Sequence, residues 1–170
     1  MSRRYGQIFQ SGFVVEDWRK ATQHWVDVLG VGPFFLLDHI EFEWCEYRGQ
    51  PVDLDLSVTL GFSGEYQVEL IQQHNDAESI YTEFLREHGT GLQHVGTLVD
   101  DLDAALDAHG LRHKIVQQGA IAGCRFAYVD TVLHGGSMLE LIEAGPEIRQ
   151  GFEDMKAAAR DWDGFDPIRA

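Results

Sequence analysis

Residues 8–15 are apolar and β-rich, and the hydrophobic period then changes. Trp18, Ala21, Trp25, Val28 and Leu29 recur at helical spacing behind Asp17, which suits an N-cap, and Gly30, Gly32 and Pro33 end the run. Three strand-like stretches follow at 34–44, 52–62 and 66–73. A helix over 77–89 then links to a second round: strand 92–100, helix 101–110, and strands 112–119, 124–131 and 137–144. Each round reads β-α-β-β-β. The last stretch, 146–170, reads as a C-terminal helix with a frayed end.

The two rounds superimpose. At a displacement of 84 residues Gly12 falls on Gly96, Val15 on Val99, Asp17 on Asp101 and Ala21 on Ala105. Val68–Ile71 falls on Leu139–Ile142 at a displacement of 71, because the middle loops of the second round are shorter. The chain is an internal duplication. Each half is too small to cover both faces of its own sheet. The expected fold is α+β: two tandem βαβββ modules forming a curved eight-stranded mixed sheet around a cleft, with helices outside. The expected division is 1–90 for the first module with its linker helix, 91–145 for the second and 146–170 for the helical tail, in one compact domain.

Composition narrows the partners. A formal charge of −15 without any Lys/Arg-rich run argues against nucleic acid and against an anionic membrane surface. Cys45 and Cys124 stand far apart in no metal or redox spacing and read as small buried residues. The N-terminus lacks the apolar stretch of a signal peptide, and no run is long enough to span a bilayer, so a cytoplasmic protein is expected. No dinucleotide, P-loop or Ser-His-Asp signature is present.

At the repeat displacements Gln10 meets His94, and Glu69 meets Glu140. Singly, each has an ordinary reading: a solvated strand glutamine, a hydrogen-bonded core histidine, carboxylates on the wet face of a strand. Jointly they fall at equivalent inward steps of four strands, and both glutamates interrupt apolar sequence, where a carboxylate is costly unless it is paired or ligates a metal. One nitrogen and three oxygens suit a divalent ion such as Zn²⁺, Mn²⁺, Ni²⁺, Co²⁺ or Fe²⁺.

These motifs carry a resemblance. Residues 7–144, through "SGFVVEDWRKATQHWVDVLGVGPF", "VELIQQ", "SIYTEFLREHGTGLQHVGTLVDDLDAAL" and "FAYVDT…GGSMLELIE", resemble the vicinal oxygen chelate superfamily of glyoxalase I, methylmalonyl-CoA epimerase, extradiol dioxygenases and bleomycin-resistance proteins. Residues 68–106 most resemble the epimerase-like branch. The resemblance implies paired βαβββ modules with a metal at their centre, its four ligand positions falling on Gln10, Glu69, His94 and Glu140. Epimerases usually carry His and Gln at the first two positions. Gln, Glu, His and Glu instead resemble the set of eukaryotic-type glyoxalase I, whose glutathione signature is not recognisable around the first helix.

The chemistry implied is metal-assisted proton transfer α to a carbonyl, by an isomerase, epimerase or lyase acting on a small carbonyl substrate. Glu140 is the principal base, by its family position, and Glu69 the partner base. Asp53 or Asp55 is an alternative accessory base. Gln10 in place of a second histidine disfavours extradiol dioxygenation. A metal-free binding protein of the bleomycin-resistance type is the alternative. Phe34, Trp44 and Tyr128 are expected as pocket walls, and Arg125 as a group that meets a substrate carboxylate or phosphate or pairs with an acid. His39, His74 and His134 stand near turns as solvated groups able to reach a substrate. A homodimer is expected from the short duplicated chain and the family habit of pairing modules.

Overall fold

The computed structural model describes residues 5–131 and 138–170. Helix α1 (Trp18–Leu29) and helix α3 (Leu102–Ala108) start alike: Asp17 and Asp101 each accept a hydrogen bond from the backbone N–H three residues on. Gly30, at φ +66°, ends α1 in the left-handed conformation that a residue without Cβ adopts freely. Helix α2 (Ile80–His88) opens on a reciprocal Ser79–Thr82 box, and α4 (Pro146–Arg160) on a proline in its first turn.

The strands are β1 (Ile8–Val14), β2 (Phe34–Leu37), β3 (Trp44–Tyr47), β4 (Gln50–Pro51), β5 (Leu56–Ser63), β6 (Tyr66–Gln73), β7 (Gly91–Val99), β8 (Ile115–Ile121), β9 (Cys124–Val129), β10 (Met138–Glu143) and β11 (Ile168–Arg169). They form one sheet in the order β11-β2-β5-β6-β1-β7-β10-β9-β8-β3-β4. Its centre holds the duplication. In each half the first strand runs parallel to the last, β1 with β6 and β7 with β10, and the halves join where β1 and β7 pair antiparallel.

The expected eight strands are corrected to eleven among the described residues. The additions cover edges that would otherwise leave N–H and C=O groups unpaired. The 34–44 stretch is not one strand. It breaks after Leu37, where His39 takes a left-handed φ of +48°, and resumes at Trp44 on the far side of the sheet. There the β3–β4 hairpin pairs with β8 of the second half. The intervening connector touches both sides: Ile40 N–H donates to Leu56 O at 2.8 Å and Glu43 N–H to Ala120 O at 2.9 Å. Three residues reach at most about 10 Å, so the sheet curls until its two sides nearly meet. The C-terminal end is not frayed, since β11 pairs parallel with β2.

Three packed clusters follow. Inside the curl, Val14, Val58, Leu60, Ile71, Phe126 and Tyr128 from both halves pack with Ile80 and Tyr81 of α2, and Phe152 and Met155 of α4 lean on the same cluster. Outside, α1 packs on Val68 and Leu70, and α3 on Ala127, Val129, Leu139 and Leu141. No helix among the described residues is long and apolar enough to cross a membrane.

Candidate metal centre

Strand alternation sends Gln10, Glu69, His94 and Glu140 to the inner face, and pairing register brings them together. Gly12 stands between Glu69 on β6 and His94 on β7. Its repeat mate Gly96 stands between Gln10 on β1 and Glu140 on β10. Each glycine leaves the space that a side chain of the opposite half occupies, His94 over Gly12 and Gln10 over Gly96. A Cβ on Gly12 would lie 1.8 Å from His94 Cε1, and one on Gly96 would lie 2.1 Å from Gln10 Oε1. All four residues come from one chain, so the cluster is complete without a second copy.

Glu69 Oε2 lies 3.0 Å and Glu140 Oε2 3.4 Å from His94 Nε2. These distances suit ion pairs, yet the oxygens are off the direction of a ring N–H bond. Glu69 Oε2, His94 Nε2, Glu140 Oε2 and Gln10 Oε1 are all buried without a hydrogen-bond partner. Buried polar atoms rarely stay so, and here there is one from each of the four residues. Donor atoms of Glu69, His94 and Glu140 lie within 4.8 Å of one another. One imidazole nitrogen, two carboxylates and an amide oxygen fit a divalent ion of the zinc or iron class.

Two glutamines orient the set. Gln10 Nε2 donates to Gln67 Oε1 at 2.8 Å, which leaves the Gln10 carbonyl as the free atom. His94 Nδ1 lies 2.8 Å from Gln93 Oε1, which can only accept, so Nδ1 carries a proton and Nε2 is the atom turned to the cluster, where a bound ion would take the place of its proton. Burial disfavours a charged His94, but Glu140 and Glu69 beside it more than reverse this and raise its pKa to about 9. Burial, with Glu140 adding to it and His94 opposing it, raises the proton affinity of Glu69. Tyr128 packs edge-on against the His94 ring, centroids 5.0 Å apart, and accepts a hydrogen bond from Tyr81 at 3.0 Å. Burial, then Glu140, holds both phenols well above their usual range.

Among the expected pocket walls only Tyr128 stands at the cluster. Phe34 is corrected: it is fully buried on the outer face, against the α1 cluster and over Gly61. Trp44 is corrected too: Cys45 takes the inward position on β3, and Trp44 points out with 42% of its surface exposed. Arg125 alternates outward from Phe126 and pairs with Asp103 on α3 at 2.9 Å and with Glu143 at 3.4 Å, which is the acid-paired reading. Asp53 and Asp55 precede β5 rather than lying within a strand, and Asp55 is engaged with His39. His134 lies outside the described residues. Burial pushes both cysteine thiols up to about 11, so neither is a ready nucleophile. Gly12, Gly96, Gln67 and Gln93 were not singled out from sequence for the site. For the glycines the signal was present, since they mark the same step of the repeat.

Residues 9–128 match the family described as the Glyoxalase/Bleomycin resistance protein/Dioxygenase superfamily. No curated protein matches the chain. Among solved structures, methylmalonyl-CoA epimerase from Mycobacterium tuberculosis superposes with a TM-score of 0.58 at 21% identity, covering 84% of this chain and 91% of that one. A hypothetical protein from Bacillus halodurans C-125 gives 0.58 at 19% identity, covering 82% and 94%. A further methylmalonyl-CoA epimerase gives 0.51 at 21%, covering 79% and 92%. At these identities the likeness is one of fold.

Proposed function

The chain belongs to the Glyoxalase/Bleomycin resistance protein/Dioxygenase superfamily, and from that premise we propose that Gln10, Glu69, His94 and Glu140 hold a divalent metal ion in an isomerase or epimerase that moves a proton α to a carbonyl. The observation that carries the reading is the set of four buried donor atoms without hydrogen-bond partners, one on each repeat-equivalent residue. When bound, such an ion would draw electron density from a substrate carbonyl and make the neighbouring C–H more acidic.

The chain's own groups supply the rest. Glu140 is the principal base, and burial gives Glu69 the proton affinity of an acceptor that can hold and return a proton. The two carboxylates approach His94 from β6 and β10, the two repeat-related sides of the cluster. Removal by one and return by the other gives inversion at carbon, and return to the neighbouring carbon gives an isomer. Gln67 and Gln93 hold the amide and imidazole in the orientation that presents lone pairs inward. Gln10, His94 and Glu140 are buried, which limits the water that could intercept the proton in transit. The single histidine in the set favours this chemistry over oxygen activation, and the epimerase fold of the structural neighbours supports it.

The test is deuterium wash-in. Metal-loaded protein in D₂O should exchange the α-proton of a 2-oxo or acyl-thioester compound, and Glu140→Gln should lose that exchange while keeping metal. Tight binding of such compounds with no exchange in the wild type would point instead to a binding protein.

A further inference from the structure

A second convergence of donors lies on the outer face of the sheet. Asp38 and His39 follow β2, Ser57 lies near the start of β5, and His74 follows β6. Ser57 is two residues from Thr59, whose hydroxyl meets Thr22 of α1, so Ser57 looks away from the buried cluster.

Hydrogen bonding fixes the protons of this group. Ser57 Oγ donates to Asp38 Oδ1 at 2.6 Å and lies 2.7 Å from His74 Nε2. A hydroxyl has one proton. With that proton on the Asp38 side, His74 Nε2 is the donor to Ser57, and His74 Nδ1 keeps its lone pair. The Gln72 amide nitrogen, 3.4 Å from Nδ1, agrees with this. His39 Nδ1 lies 2.5 Å from Asp55 Oδ1 and places its proton there, which leaves Nε2 with a lone pair. The two imidazoles stack 4.7 Å apart, 28° between planes, and one donor atom from each of Asp38, His39 and His74 lies within 4.8 Å of the others.

We propose that Asp38, His39 and His74 form a second, surface site for a borderline divalent cation of the Zn²⁺ class. Two nitrogens and one oxygen, with further positions for water, are an ordinary ligand set for such an ion. Each of the three is already held by a group that would not itself ligate: Asp55 on His39, Ser57 on Asp38 and on His74. A carboxylate behind a ligating imidazole is the usual outer support of a metal-bound histidine. An ion there would tie the start of the connector that crosses the sheet to the end of β6. The site does not rest on the function proposed for the buried cluster.

The experiment is Zn²⁺ titration of the chelator-treated full chain by calorimetry, compared with a His39→Asn/His74→Gln variant. Asn suits position 39 because it tolerates the left-handed backbone found there. The wild type should bind one equivalent more than the variant, or bind that equivalent at least tenfold tighter. If the buried cluster takes no metal, the wild type should still bind one equivalent that the variant loses. Equal stoichiometry and affinity in the two proteins, or no binding to the wild type, would overturn the site. A measurement on the wild type alone guards against a variant that fails to fold. Zn²⁺ should slow diethylpyrocarbonate modification of His39 and His74 about tenfold and leave the exposed His88, whose side chain is 62% accessible, unchanged. Equal reactivity of all three with and without Zn²⁺ would also overturn it.

Discussion

Gly12 faces His94 across the β1–β7 pair, and the imidazole fills the place where a Cβ on Gly12 would stand, 1.8 Å from Cε1. Backbone cannot give way as a flexible side chain can, so the ring must move. Gly12→Ala is expected to destabilise the protein by about 1–3 kcal/mol, the usual cost of overpacking, and to weaken metal binding at least tenfold. Denaturant unfolding and competition with a metal-binding dye would check the two effects. Unchanged metal affinity would mean that His94 is not a ligand.

Among the described residues the Gln67 side chain meets Gln10, through the 2.8 Å bond in which it accepts the Gln10 amide proton. Gln67→Leu leaves that buried donor unpaired, at about 1–3 kcal/mol, and lets the amide turn its nitrogen inward. Metal affinity should fall about 10- to 100-fold, the range seen when an outer partner of a ligand is lost. Gln67→Glu, which keeps the acceptor, should restore most of it.

The metal-free protein should lose stability as pH rises. His94 is raised to about 9 in the fold against 6.5 for an ordinary imidazole, the carboxylates beside it outweighing burial. A raised pKa gives stability that is fully present below about 6.5 and lost as pH climbs through 9. The loss is on the order of 3 kcal/mol. Urea midpoints in chelator at pH 6 and pH 9.5 would show it, and His94→Gln should flatten the trend. Added metal should reverse it, because protons then compete with the ion for Nε2.

Phe34→Ala separates the core from the site. Phe34 is packed on the α1 side of the sheet, so the substitution should cost about 3–5 kcal/mol while KM of the folded fraction stays unchanged. A rise in KM at constant stability would return Phe34 to the pocket.

These residues also mark what the sequence could reveal. Gln10, Glu69, His94 and Glu140 were legible because a duplicated chain repeats its inward steps, and a polar residue that recurs at such a step is visible without coordinates. Phe34 and Trp44 were misplaced because both faces of this sheet carry apolar side chains, so alternation gives the period and not the side. The β3–β8 pairing was hidden because it joins residues 44–47 to 117–120 through strands too short to carry a pattern of their own. The glycines were visible as a repeat, but their purpose depends on what stands across the strand, which only register supplies.

The connector from Asp38 to Glu43 works as a clasp. The β1–β7 seam at the centre is a long ladder, whereas the curl is closed by single bonds at Ile40 and Glu43 and by the short β3–β8 pairing. The curled sheet should therefore breathe at the clasp and not at the seam between the duplicated halves. Amide exchange at Ile40 and Glu43 should run orders of magnitude ahead of exchange in β1 and β7. The traffic of small molecules to the interior would then pass through a stretch of chain that the second half never copied.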